Sequence, residues 1–178
     1  QAEAHILAIA AIRPLRRVVV WGRDPARARG LADALGAEHG MAVEVAADVQ
    51  AAAGQAEIIC TTTSSAEPIL EGNWLADGVH VNLVGSSRAG PVEVDDDLVA
   101  RCRYFVDNRV NVLAQGAEYL HARASGRIDE THILGEIGEV LSGRVAGRRS
   151  PAEITAYKSL GLVAQDLWSA WHVFQTLQ

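Results

Sequence analysis

A strand followed directly by a helix is encoded at residues 16–30, which read RRVVVWGRDPARARG. The bounded apolar run VVVW is rich in β-branched residues and predicts a buried strand. After it, Asp24 is a suitable helix N-cap and Pro25 favours the first helical position. The helix then presents an apolar stripe at Ala28, Leu31, Ala32 and Leu35. Residues 16–30 therefore predict half of a βαβ unit, and such folds bind ligands at the carboxyl ends of their strands.

The same alternation continues along the chain. Further strand-like segments lie at 41–46, 56–63, 78–85 and 102–107. An Ala-rich helix begins near Asp48, and Asp95 is the expected cap of the helix before the last of these strands. The alternation predicts an α/β fold, a Rossmann-like, doubly wound and mostly parallel sheet with helices on both faces.

The remainder of the chain is more helical. We expect a short helix over 109–115, a second over about 130–142 and a terminal helix over 160–177. A short strand is expected at 153–159, although Ser150 and Glu153 have capping-box spacing, which competes with a strand at its start.

Length, composition and charge limit the classes of function that this chain can have. With 178 residues and 49% hydrophobic content, the chain can bury one sizeable core, so one domain is expected. A net charge of −6 argues against a nucleic-acid partner. Cys60 and Cys102 form no C-x-x-C pair, which is typical of buried thiols in a reducing compartment. Without a signal peptide or an apolar stretch of membrane-spanning length, the chain is expected to be soluble and cytoplasmic, with no membrane partner.

Both ends of the chain carry apolar helices. The sequence predicts a helix that starts directly after Gln1, which is not an initiator methionine, so we expect the chain to begin inside a larger protein. The terminal helix over 160–178 exposes a broad apolar face that includes Trp168 and Trp171. This face either packs on the same domain or covers a missing segment or a second subunit.

The candidate cofactor site includes the start of the first helix and the loop that follows the first strand. In dinucleotide folds the first turn reads G-x-G-x-x-G/A, and an acidic residue about 20 positions later binds the ribose. Ala2 fits the last position of that turn, with Gln1 before it. Gly22 then stands where NAD enzymes place the acid, and Arg23 offers a planar cation suited to a 2′-phosphate. This favours NADP over NAD, the alternative being an exposed surface arginine.

Two more strand ends carry candidate ligands. The run TTTSS at 61–65 contains Thr61, Thr62 and Thr63, whose hydroxyls either bind ribose and phosphate oxygens or form a simple turn. In NLVGSS at 82–87, Gly85 would let a flat ring approach the backbone. The six histidines lack zinc-ligand spacing, so no metal site is expected. The acidic run at 95–97 is expected to start a helix, and the arginines at 144–149 to form a solvated turn.

Six segments, in order along the chain, resemble the ornithine cyclodeaminase and mu-crystallin family: QAEAHILAIAAIRPLRRVVVWGRDPARA, AEIICTTTSSAEPIL, NWLADGVHVNLVGSS, VEVDDDLVARCRYFVD, GEIGEVLSGRVAGR and EITAYKSLGLVAQDL. The resemblance covers residues 1–178. It implies a nicotinamide-binding Rossmann domain that lacks its first strand and an upstream region for substrate binding and dimerisation. A homodimer formed through that missing region is implied as well.

The resemblance also implies roles for individual residues. Gln1 and Ala2 match the Gln-Ala pair that ends the family's phosphate-binding turn. The threonine run and the N-x-V-G stretch, here Asn82, Val84 and Gly85, border the cofactor. The Lys-Ser-x-Gly element, which contains Lys158 and Ser159, lies near the nicotinamide.

One position departs from part of the family. Ornithine cyclodeaminases and related alanine dehydrogenases carry an aspartate shortly after the N-x-V-G motif, where this chain has Ser87. Serine is a poor base at neutral pH unless a neighbour activates it. Ser87 is therefore a candidate only for orienting substrate or water, and the chain resembles the mu-crystallin and imine-reductase side of the family.

The resulting hypothesis is an NADP-preferring oxidoreductase, with NAD as the alternative cofactor, that reduces the C=N bond of a small cyclic imine carboxylate. The cations that bind the substrate carboxylate are expected upstream of this chain. The alternatives are an ornithine cyclodeaminase or amino-acid dehydrogenase, which would act on an amino acid, and a protein that binds NADPH and a small ligand without turnover.

Overall fold

The computed structural model describes residues 1–177. Its helices are α1 (Ala2–Ile12), α2 (Pro25–His39), α3 (Val49–Ala53), α4 (Asp96–Arg101), α5 (Arg109–Gln115), α6 (Ala117–Ala124), α7 (Ile137–Leu141) and α8 (Val163–Thr176). Its strands are β1 (Val18–Val20), β2 (Val43–Val45), β3 (Ile58–Thr61), β4 (His80–Leu83), β5 (Arg103–Val106), β6 (Ile133–Glu136) and β7 (Thr155–Lys158). The predicted α/β fold with a parallel, helix-flanked sheet is confirmed.

The strands form two parallel sheets. Five strands pair in the order β3-β4-β7-β5-β6, and β1 pairs separately with β2. Arg17, just before β1, donates to the Gln55 side-chain oxygen before β3 at 3.0 Å. Since β1 and β3 therefore start on the same side, their carboxyl ends point to the same edge, which we call the carboxyl edge.

The hydrophobic core lies on one face of the five-stranded sheet. Val81, Tyr104 and Ala156 are fully buried there, on three neighbouring strands. Residues of α4, α5 and α6 pack against this face, including Leu98, Val112 and Ala122. On the other face, α7 and the end of α1 border an open groove.

The βα unit at residues 16–30 forms, but β1 is half-buried rather than buried and ends before Trp21. The Asp24 carboxylate accepts hydrogen bonds from the backbone N–H groups of Ala26 and Arg27, at 2.9 and 3.3 Å. Pro25 occupies the first helical position, and Ala28, Ala32 and Leu35 are buried. The helix ends at Gly40, whose φ of 65° is the left-handed conformation that favours glycine.

The predicted helix at 130–142 is wrong. This segment forms a short 3-10 turn, then strand β6, then the five-residue helix α7. The apolar residues at 133, 137, 140 and 141 do have helical spacing, but β6 pairs with β5 at the sheet edge, with one register shift between Tyr104 and Phe105. Gly135 packs closely against Val145, because a Cβ there would lie 3.1 Å from the valine side chain. Helix α6, for which no helix was predicted, lies between α5 and this segment.

The two apolar end helices form, but neither contains a fully buried residue. α1 has no buried residue among its eleven. α8 begins at Val163 rather than the predicted position 160, and Trp168 and Trp171 are 73% and 50% exposed. The described residues therefore do not cover the apolar face of α8. No helix in residues 1–177 combines the length and apolar character needed to cross a bilayer.

Candidate functional site

Three loops meet at the carboxyl edge of the five-stranded sheet. The backbone N–H groups of Val84 and Gly85 donate to the carbonyl of Thr61, at 3.0 and 3.1 Å. Ser159 donates its backbone N–H to the carbonyl of Leu83 at 3.0 Å. The predicted site residues that follow β3, β4 and β7 are thus brought together.

A buried carboxylate, Glu93, ties the first two loops to each other. It is 0% exposed. Its oxygens accept hydrogen bonds from the Thr61 hydroxyl at 2.7 Å, the Thr63 hydroxyl at 2.8 Å and the Thr63 backbone N–H at 2.5 Å. The Gly85 backbone N–H adds a fourth hydrogen bond at 2.8 Å. Four donors aimed at one carboxylate replace the hydration that it loses on burial.

This arrangement changes what the threonine run can offer a ligand. The hydroxyls of Thr61 and Thr63 point inward to Glu93 and serve the fold. Thr62 is half-buried, and within residues 1–177 no hydrogen bond engages its hydroxyl, so it is the threonine of the three that is free to meet a ligand.

Gly85 is required by the protein's own packing. A Cβ at this position would lie 2.1 Å from the Thr63 carbonyl oxygen and 2.3 Å from the Glu93 carboxylate. The side of Gly85 that was expected to admit a flat ring is therefore filled by residues of this chain.

A second buried cluster lies under the loop that follows β4. The Lys158 ammonium is 2.9 Å from the Glu118 carboxylate, and both side chains are 0% exposed. Lys158 also donates to the Ser86 hydroxyl oxygen at 2.7 Å and to the Ser86 carbonyl. The Ser86 hydroxyl in turn donates to Glu118. Because α6 carries Glu118 and β7 carries Lys158, this cluster joins three separate elements.

Asp107 performs the same task for the loop after β7. It follows β5, is 4% exposed and accepts the backbone N–H groups of Leu160 and Gly161 at 2.6 and 2.7 Å. The Asn108 backbone N–H donates to its other oxygen at 2.7 Å. The path of the chain from Ser159 into α8 is thus fixed by one carboxylate.

Ser87 is exposed next to the buried Ser86. The carboxylates that underlie this part of the edge, Glu93 and Glu118, are buried and engaged in hydrogen bonds or an ion pair. Neither is free to act as a base on a ligand. Neither carboxylate can therefore activate Ser87 as a base.

Gly22 and Arg23 lie at the carboxyl end of β1, in the smaller sheet. Arg23 is exposed, and no hydrogen bond or ion pair engages its guanidinium within residues 1–177. The adjacent Asp24 carboxylate instead caps α2 and contacts Arg27 at 3.5 Å. The Arg23 guanidinium is therefore available to an anionic ligand.

Gln1 and Ala2 lie elsewhere. Glu3, in the first turn of α1, is 4.0 Å from His39 at the end of α2. Since α2 starts at the carboxyl edge and ends where β2 begins, His39 and the start of α1 lie toward the opposite edge. The described chain does not bring Gln1 and Ala2 to the other predicted cofactor ligands, because no strand hydrogen-bonded to β1 or β3 leads into α1.

Asn82 lies on the sheet face away from the core, the same face that carries the groove. Its amide donates toward the Cys60 sulfur at 3.5 Å, and its oxygen lies 3.3 Å from the His80 ring. Burial lowers the pKa of His80, more than its contact with Asn82 raises it. The groove has a volume of about 710 Å³ and lies toward the starts of β3, β4 and β7, away from the carboxyl edge.

The remaining polar candidates have structural explanations. Asp95 caps α4 as expected, accepting the Leu98 backbone N–H at 3.0 Å. Arg148, predicted to be solvated, donates to the Thr155 hydroxyl at 3.0 Å and so braces the start of β7. Cys102 is buried and Cys60 half-buried, and both are free thiols. Burial raises the pKa of Cys102 to about 12.

Sequence reasoning missed the buried carboxylates of the site, which are Glu93, Asp107 and Glu118. It named Lys158 near the nicotinamide but not the buried ion pair of that residue. Asp107 and Lys158 stand at strand ends, which was an available signal. Glu93 and Glu118 lie 30 or more residues from their partners Thr63 and Ser86 in the hydrogen bonds they accept. Local patterns do not report such distant pairings.

Comparison with known proteins identifies the family of this chain. The model of the ornithine cyclodeaminase/mu-crystallin family matches residues 1–178. The chain belongs to this family. Its sequence is 34% identical over 179 residues to Delta(1)-pyrroline-2-carboxylate reductase of Paracoccus denitrificans, covering 99% of this chain and 56% of that protein.

One further protein and one solved structure are similar to this chain. Ketimine reductase mu-crystallin of Mus musculus is 32% identical, over 99% of this chain and 52% of its own length. The structure of Thermococcus litoralis Delta(1)-pyrroline-2-carboxylate reductase in complex with NADH and L-proline superposes with a TM-score of 0.90 at 28% identity, covering 93% of this chain and 51% of that one. The chain thus spans about half the length of the relatives it matches.

Proposed function

We propose that this chain is the cofactor-binding part of an NAD(P)-dependent oxidoreductase that reduces a small cyclic ketimine carboxylate. The observation that carries the proposal is the exposed Ser87 on a loop whose nearby carboxylates are buried and engaged. A reductase of this kind needs no carboxylate base at that position, whereas a cyclodeaminase using the family's aspartate does. When bound, the nicotinamide supplies the hydride that reduces the C=N carbon, while the nitrogen gains a proton.

The residues at the carboxyl edge fit a phosphorylated dinucleotide. The free guanidinium of Arg23 would hold a 2′-phosphate, and the unengaged Thr62 would meet ribose or phosphate oxygens. Gly22 leaves the tip of β1 without an acid, in accord with NADP. NAD is the alternative, since the similar Thermococcus enzyme was solved with NADH.

A strand from upstream of this chain would account for the split sheet and for the position of α1. β1 and β3 each pair with a strand on one side only, and the Arg17–Gln55 hydrogen bond joins the starts of the two strands. Neighbouring parallel strands lie ~4.8 Å apart, so one strand from upstream of Gln1 would join both sheets. That strand would end at the carboxyl edge and bring Gln1 and Ala2 to the dinucleotide.

The exposed helix α8 supports an assembly beyond this chain. Its apolar face would pack on an upstream region that binds the substrate and forms a homodimer. The cations for the substrate carboxylate would come from the same region. Two cysteines that form no disulfide are in accord with a reducing cytosol as the compartment.

The test is a pair of assays on the full-length protein. Purified protein is incubated with NADPH or NADH and Δ1-pyrroline-2-carboxylate or its six-membered homologue, and cofactor oxidation is followed by absorbance. In parallel, ornithine is supplied with catalytic NAD, and ammonia and proline are measured. We expect stoichiometric NADPH oxidation with a cyclic imine and no ammonia from ornithine.

The other outcomes identify the alternatives. Ammonia and proline from ornithine would overturn the reductase and establish a cyclodeaminase that uses another proton carrier. Tight NADPH binding without oxidation by any cyclic imine would overturn both and favour a ligand-binding protein without turnover.

A further inference from the structure

Both oxygens of Ser86 form hydrogen bonds with buried side chains. Its carbonyl and its hydroxyl oxygen accept hydrogen bonds from the Lys158 ammonium, and its hydroxyl donates to Glu118. The preceding residue is held as well, since the Gly85 backbone N–H donates to Glu93 at 2.8 Å. The backbone at 85–86 is therefore fixed from the core side, whereas residues 87–90 are exposed.

The ion pair that holds Ser86 is costly to bury. Lys158 and Glu118 are fully shielded from solvent on both side chains. Replacing such a pair with well-packed apolar residues of similar volume often leaves stability unchanged or increases it. A fully buried pair that also binds a loop backbone therefore points to a requirement for that loop's position.

The geometry points to Lys158 and Glu118 as positioning residues for the reaction. We propose that they lock Ser86 inward, so that Ser87 and the adjacent backbone face the position where the imine is reduced. Lys158 also directly precedes Ser159, whose backbone N–H is bonded to Leu83. One lysine thus sets the relative position of the β4 and β7 loops. Only the catalytic consequence of this inference rests on the proposed function.

The test removes the lock while keeping the buried charge balanced. In K158M/E118M, both ions are replaced by apolar side chains of similar length, so no unpaired charge remains. The matched control is R103M/E153Q, which breaks the less buried pair of 3.4 Å at the starts of β5 and β7. S86A is a milder variant that deletes the hydroxyl and leaves the carbonyl bonded to Lys158.

The first measurement is amide hydrogen exchange of the peptide covering 84–91 in the full-length protein, without cofactor. We expect K158M/E118M to exchange about tenfold faster there, with an unchanged rate in α2, and S86A to show a smaller increase. R103M/E153Q should match the wild type at 84–91. Unchanged exchange in both K158M/E118M and S86A would overturn the lock, and if the double variant does not fold, S86A alone decides.

The second measurement is steady-state reduction of a cyclic imine by NADPH. Because a displacement of about 1 Å costs on the order of 100-fold in rate, kcat of K158M/E118M should fall about 10- to 100-fold. The Kd for NADPH should change less than about threefold, since Arg23 and Thr62 are untouched. Parallel losses of kcat and NADPH binding would show a merely structural role. If the wild type reduces no imine, the proposed function fails, while the exchange data still decide the lock.

Discussion

Replacing Glu93 with glutamine tests the buried carboxylate that joins the β3 and β4 loops. One oxygen of Glu93 accepts the Thr63 backbone N–H, and the other accepts the Gly85 backbone N–H. A glutamine amide has one oxygen, so its NH₂ group must face one of these two donors. A buried donor left unpaired costs about 1–3 kcal/mol, and the surviving bonds lose the strength that the charge gave them. We therefore expect E93Q to lower the free energy of unfolding by about 2–4 kcal/mol.

The assay is urea unfolding of the protein purified with its natural termini, followed by circular dichroism. E67Q is the matched control, because Glu67 is exposed in the same region, and it should lie within about 0.5 kcal/mol of the wild type. An E93Q variant as stable as E67Q would refute the reasoning, since it would mean that the four hydrogen bonds to Glu93 contribute nothing that an amide cannot supply.

Three other substitutions test the loops and the core. In D107N the amide NH₂ must face either the Asn108 N–H or both the Leu160 and Gly161 N–H groups, which share one oxygen of Asp107. It should therefore cost about 1–3 kcal/mol in urea unfolding and speed exchange of the amides left unpaired. G85A should lower stability by about 3 kcal/mol or more, because its Cβ would lie 2.1 Å from a backbone oxygen; wild-type stability would contradict the observed packing. Burial raises the pKa of Cys102 to about 12, so above pH 8.5 the thiol ionises in the unfolded chain but not in the folded one. The stability of the wild type should therefore fall relative to that of C102A by up to about 1.4 kcal/mol per pH unit. A stability difference between wild type and C102A that stays constant from pH 8 to 10 would argue against that burial.

The elements that were predicted correctly have strong local signals. At residues 24–35, a capping aspartate, a proline at the first helical position and an apolar stripe all favour the same helix. Asp95 gives the start of α4 in the same way. Segment 130–142 lacked such agreement, since its apolar spacing fits a helix while its pairing with β5 makes part of it a strand.

The candidate site was located by strand ends, but its chemistry was only partly visible. Thr61 and Thr63 have the composition of cofactor ligands, yet their hydroxyls serve Glu93, which lies about 30 residues further along the chain. Lys158 and Glu118 meet only because α6 packs under β7 and the loop after β4. Whether a polar side chain faces a ligand or a buried partner depends on such long-range packing, which single-sequence patterns do not encode.

Arg23 offers the most direct test of the account, whose central claim is that the carboxyl edge binds a 2′-phosphorylated nicotinamide dinucleotide. The Kd values for NADPH and NADH are measured by titration for the wild type and R23A. Because Arg23 is exposed, its loss should leave stability unchanged, and a lost charge-assisted contact of about 1.5–3 kcal/mol corresponds to roughly 10- to 150-fold weaker NADPH binding. NADH binding should change less than about twofold. Equal weakening of both cofactors, or of neither, would contradict the claim.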